Sequence, residues 1–163
     1  MAKTKIEYPQ DVDTVYAFVT DPEEIKKRSL ALGEMNPRVQ VDDTGGTKTV
    51  TNTREIESDL PAFAKKLFNP TNTVVERSEW RDDGDRKICK RHIDIKGTPG
   101  TIDFNITISP NGTGSTYDIE FEATAKIPLI RKKLEELITN LTLEGIREEH
   151  DYNKKQLAAQ ARS

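Results

Sequence analysis

The sequence runs to 163 residues, the length of one domain, with a net charge of -3, 34% hydrophobic residues and 33% charged ones. That balance argues against nucleic acid, which selects basic patches, and the lone Cys89 excludes a disulfide framework or a multi-cysteine zinc site. No apolar stretch reaches the length of a membrane span and residues 1–8 hold no apolar signal segment, so the expectation is a cytoplasmic protein without stable membrane insertion.

Residues 3–8 alternate as a short strand that Pro9 ends. Asp11 caps a helix with Val12, Val15, Tyr16 and Val19 on one side. Asp21-Pro22-Glu23-Glu24 starts a second helix: a cap, a proline at the first position and a glutamate three residues after the cap. Ile25, Leu30 and Leu32 are its apolar contacts, and Gly33 suits its C-terminal stop. Strand pairs follow. Residues 38–41 turn through Asp42-Asp43-Thr44-Gly45-Gly46 into 47–57, and residues 73–80 turn through Asp82-Asp83-Gly84-Asp85 into 86–96. Residues 101–109 alternate with Ile102, Phe104, Ile106 and Ile108 on one face, and Tyr117, Ile119, Phe121 and Ala123 repeat the period. Between the first two pairs, Leu60, Phe63, Ala64, Leu67 and Phe68 lie at helical spacing. Asp59 can cap this short helix, and Asn69-Pro70 ends it.

The last third is a long amphipathic helix. From 129 to 159 there is no proline and one glycine, Gly145, and Ile127, Ile130, Leu134, Leu137, Ile138 and Leu141 recur every three or four residues. A helix draws most of its stability from packing its apolar face, and the only large apolar surface on offer is the preceding sheet. The fold class is therefore α+β: a curved antiparallel sheet of about six or seven strands wrapped on a long C-terminal helix, with two short helices after the first strand, in one domain over 1–163.

This order resembles the START-like superfamily, the helix-grip fold of polyketide cyclases, lipid-transfer domains and plant pathogenesis-related proteins. In detail the chain is similar to a bacterial family of unknown function within it. The likeness is carried by Tyr8-Pro9-Gln10-Asp11-Val12-Asp13-Thr14-Val15-Tyr16, Asp59-Leu60-Pro61-Ala62-Phe63 and Glu79-Trp80, in an element order that spans the whole chain. The resemblance implies a cavity between sheet and helix for a small apolar or amphipathic molecule, with the segment from Phe63 to Phe68 near its mouth.

The candidate wall is Phe63, Phe68, Trp80, Phe104, Tyr117 and Ile119, facing Leu134, Leu137 and Leu141 on the helix. The competing reading is a filled core, since interiors are close-packed. Gly145 either leaves room for ligand or lets backbones approach, and the insertion around Phe63 is either a lid or a plain cover. Polar residues interrupt the strand pattern: Asn52 and Arg54 share a face with Val50, Glu76 and Ser78 with Val74 and Trp80, and Arg91 with Cys89 and Ile93. If these faces look inward, Arg54 and Arg91 are placed to hold the anionic head of a ligand. The cost of burying charge favours the opposite case, a shifted register that leaves them solvated. His92 and His150 make no metal pattern, and His150 falls on the helix face away from the apolar stripe, so both read as solvated or locally hydrogen-bonded. No acid–base pair or nucleophile stands out, and no cofactor or catalytic residue is assigned. A carrier domain is the first reading. A cyclase- or hydratase-type enzyme and a protein-interaction module with a filled core are the others, and no pattern specifies an oligomeric state.

Overall fold

The computed structural model describes residues 1–162. The chain runs β1 (Ala2–Tyr8), α1 (Val12–Thr20), α2 (Pro22–Ala31), β2 (Met35–Thr44), β3 (Thr47–Glu57), α3 (Ala62–Lys65), β4 (Thr71–Asp83), β5 (Arg86–Ile95), β6 (Gly100–Asn111), β7 (Gly114–Ala125) and α4 (Arg131–Arg162). Its seven strands form one curved antiparallel sheet in the order β1-β7-β6-β5-β4-β3-β2. The helix-grip arrangement expected from the sequence is the one observed.

Local chemistry explains the boundaries. Asp11 accepts a hydrogen bond from the Thr14 amide at 2.8 Å, and Asp21 accepts from the amides of Glu23 and Glu24 at 2.8 and 3.1 Å. Such caps contribute about 1 kcal/mol each. Gly45 and Gly46 both adopt positive φ (63° and 80°), the backbone of a tight two-residue hairpin that joins Thr44 to Thr47. A Cβ on Gly114 would strike the carbonyl oxygen of Tyr8, so a glycine there lets the end of β1 close on β7.

Several elements differ from the sequence-based expectation. β4 extends to Asp83 rather than Trp80, because its ladder to β5 continues through Asp83 opposite Arg86 after the apolar alternation stops. Leu30 is 60% exposed, since α2 buries Ile25, Arg28 and Ser29 instead. The helix expected from Leu60 to Phe68 shrinks to the four residues of α3, and its N-cap is Pro61 without a side-chain cap, not Asp59.

On the inner face of the sheet, paired residues form rungs. One runs Val50, Ser78, Arg91, Phe104, Phe121, the next Asn52, Glu76, Ile93, Ile102, Ala123, and a third, shorter one Arg54, Val74, Ile95. α4 lies along β7 and β1 and meets α2. It buries Leu134, Ile138 and Leu157, and also His150 and Asn153. Each buried aliphatic side chain is worth about 2 kcal/mol.

Candidate functional site

The space between sheet and helices divides into a filled end and an open end. α1 packs over β5, β6 and β7 and fills the first. There Tyr16 and Tyr117 approach Trp80 edge-on, at ring separations of 5.6 and 6.4 Å, above the rung Trp80, Cys89, Ile106, Ile119. At the open end lies a cavity of about 400 Å³ between the inner face of β3–β6, the end of α2 and the middle of α4. Of the residues expected at its wall, Arg54, Phe68, Arg91, Phe104, Leu137 and Leu141 are brought together there. Trp80, Tyr117 and Ile119 belong instead to the core beneath α1, and Leu134 is wholly buried at the start of α4. Phe63 is half-buried away from the wall, with the Lys133 ammonium 4.2 Å from its ring.

The cavity has two faces of different chemistry. Phe68, Ile95, Ile102, Leu137 and Ile138 make an apolar end, closed where Gly100 leaves space for Ile138, Ile95 and Phe68. Arg28, Glu34, Asn52, Arg54, Glu76, Arg91 and Glu149 make a polar end. Gly33, Glu57, Ser58, Glu144, Gly145 and Glu148 are lining residues toward the solvent side and define the mouth. At Gly145 an added Cβ meets nothing within 4 Å, which favours open space over close backbone packing as the reason for the glycine.

The charges on β3, β4 and β5 face inward, and their ladders run in unbroken register, with no bulge to push them into solvent. The solvated register favoured from sequence is thus corrected, for a physical reason: the charges are paired. Glu76 lies 3.4 Å from Arg54 and 3.6 Å from Arg91. Arg54 also meets Glu34 at 3.3 Å, and Arg28 meets Glu149 at 3.1 Å. Arg91 donates to the Ser78 hydroxyl at 2.7 Å and sits 5.7 Å from the Phe104 ring. Burial alone would lower the pKa of Arg54, yet Glu76 and Glu34 outweigh it and raise it. The same holds for Arg91, mainly through Glu76. Both guanidiniums stay charged.

Glu149 connects the cavity to a second buried group. Burial would raise its carboxyl, but Arg28 and then His150 oppose this and hold it at about 2. His150 Nε2 lies 3.4 Å from Glu149, and its Nδ1 is hydrogen-bonded to the Tyr8 hydroxyl. His150 is 2% exposed, and its hydrogen bond reaches Tyr8 at the far end of the chain. It is neither solvated nor locally bonded, the two states expected from sequence, and burial pushes it down to about 4. Tyr8 is pushed up by burial too. Arg28, Glu34 and Glu149 were not singled out in the sequence. Arg28 does share the i, i+3, i+4 side of α2 with Ile25 and Ser29, and that spacing is the available signal. Among the described residues no group of three metal-ligating side chains occurs, and no helix is long and apolar enough to cross a membrane.

A family model described as a protein of unknown function, DUF2505, matches residues 3–157. The chain belongs to that family. Solved structures share its helix-grip fold. TTHA0849 from Thermus thermophilus superposes with a TM-score of 0.66 at 14% identity, covering 98% of this chain and 97% of that one. Human STARD10 gives 0.60 at 12% identity over 91% of this chain and 61% of its own. Norcoclaurine synthase from Thalictrum flavum, in complex with dopamine and hydroxybenzaldehyde, gives 0.50 at 16% identity, over 91% and 82%. At these identities the likeness is one of fold. A search of curated proteins finds no match.

Proposed function

We propose that this DUF2505 chain is a binding or carrier domain for a small apolar or amphipathic molecule, held between the sheet and α4. The observation that carries the reading is the cavity of about 400 Å³, walled by apolar side chains at one end and a polar cluster at the other. Small-molecule sites span roughly 300–1,000 Å³ and combine an apolar lining with a few placed polar groups. A close-packed core leaves voids no larger than a few waters, so a filled-core interaction module is the weaker reading. The two small molecules bound by norcoclaurine synthase lend support by analogy of fold alone.

An enzyme of the cyclase or hydratase kind fits the same cavity less well. General bases work best with a pKa near the operating pH, whereas Glu149 is held at about 2 and His150 lies behind it, outside the cavity wall. Titration with the neutral dye Nile red tests the binding reading. Emission should rise and saturate near one dye per chain. The variant Gly145→Phe, which projects a ring from the wall, should weaken binding at least severalfold. Absence of saturable binding to the wild type would refute the proposal.

A further inference from the structure

We infer that the cavity takes an amphiphile with an uncharged polar head and discriminates against the carboxylate of the same chain length. This deepens, and rests on, the binding reading above. Three guanidiniums in the wall, of Arg28, Arg54 and Arg91, suggest at first an anionic ligand. Each already has a carboxylate partner: Glu149 for Arg28, Glu34 and Glu76 for Arg54, and Glu76 for Arg91. At the polar end, three cations face three anions.

The mouth tips the balance. Glu57, Glu144 and Glu148 add three more carboxylates; Arg147, outside the lining, reaches only Glu144 of the three, at 4.0 Å, and among the described residues the lining contains no lysine and no further arginine. A carboxylate head therefore passes an acidic rim and then meets arginines whose charge is already matched. Like charges facing each other across a low-dielectric cleft are repelled more strongly than in water. An ammonium head passes the rim favourably, but at the polar end it is dehydrated beside carboxylates that the guanidiniums already match. An amide or hydroxyl carries no charge to dehydrate and can still exchange hydrogen bonds with a polar wall. The wall has spare capacity: Asn52 Oδ1 is buried without a hydrogen-bond partner among the described residues, and Arg54 Nε and Nη1 face Glu34 and Glu76 at 3.3 and 3.4 Å without completing a hydrogen bond to either. Buried polar groups left unpaired are costly, which favours a ligand able to both donate and accept. The hydrocarbon part then lies against Phe68, Ile95, Ile102 and Ile138.

The test is displacement of bound Nile red by octanoate, octanamide and octylamine at neutral pH and low salt, below the concentrations at which any forms micelles. Octanamide should displace at a concentration about tenfold lower than octanoate, the factor that separates binding energies by one decade. Octanoate or octylamine equalling octanamide would overturn the inference while leaving the binding reading intact, as would failure of octanamide to displace. Failure of Nile red to bind at all would remove the binding reading and the inference with it. The variant carrying Glu57→Gln, Glu144→Gln and Glu148→Gln changes only exposed positions, so folding should persist. Octanoate should gain severalfold relative to octanamide in this variant, and an unchanged ratio of the two affinities would overturn the acidic rim as the discriminating feature.

Discussion

Glu76 is the shared counter-charge of the polar cluster, and Glu76→Gln is the sharpest perturbation of it. Its two oxygens face different partners, Oε1 toward Arg54 at 3.4 Å and Oε2 toward Arg91 at 3.6 Å, and all three side chains are only 10–12% exposed. The consequences for the two arginines differ. Arg54 keeps Glu34 at 3.3 Å, whereas Arg91 keeps the Ser78 hydroxyl and the Phe104 ring. One guanidinium is thus left without a carboxylate. Removing one member of a buried pair costs roughly 3–5 kcal/mol, and the adjoining cavity admits water, so the lower figure of about 3 kcal/mol applies. The assay is urea unfolding, read as a lower midpoint at unchanged slope. Arg91→Met, measured alone and combined with Glu76→Gln, completes a cycle in which the double variant should lose clearly less than the sum of the singles. Strict additivity, or a Glu76→Gln loss below about 0.5 kcal/mol, would refute the claim that these charges depend on each other.

Three further outcomes follow from particular residues. His150 is held at about 4 in the fold against 6.5 for a free histidine, so between these values the unfolded chain binds the proton that the folded chain refuses. Its contribution is complete above about pH 6.5 and is lost as the pH falls toward 4, a difference of about 3 kcal/mol. Urea midpoints taken across that range should fall in the wild type and flatten in His150→Gln, and a parallel fall in both would exclude His150 as the source. Glu149 acts in a lower window: its depressed carboxyl favours the fold above about pH 4.5, and this is lost as the pH falls toward 2. Replacing it by glutamine should remove that second loss in the same titration. Gly145→Ala meets no neighbour within 4 Å and should gain up to about 1 kcal/mol from helix propensity, raising the melting temperature by about 2–4 °C in calorimetry. A lower melting temperature would mean that the glycine serves backbone packing after all.

What could be read from the sequence depended on how many levels of pattern agreed. The caps at Asp11 and Asp21, the Gly45-Gly46 hairpin and the alternation of 101–109 each pointed to one local structure, and the order of β2 to β7 followed from adjacent strands pairing in turn, whereas no local pattern put β1 beside β7. The cavity wall was only half legible. Strand alternation shows which side chains share a face, and it put Trp80, Tyr117 and Ile119 on the same face as Phe104. It does not show that α1 covers one end of that face and not the other. The C-terminal half of α4 misled for a related reason. Its buried side passes from Leu134 and Ile138 through Glu149, His150 and Asn153 to Leu157, so a search for apolar residues loses the stripe where it becomes polar.

That polar stretch lies where sheet, α2 and α4 converge around the cavity. Arg28 on α2 binds Glu149 on α4, Arg54 on β3 binds Glu34 after α2, and Glu76 on β4 joins β3 to β5. Apolar side chains at these positions would tend to collapse into the space, as they do under α1. Paired charges resist that collapse, because closing over them requires dehydrating every member of the network at several kcal/mol per ion. On this argument the paired charges, rather than apolar packing, keep one end of the fold open.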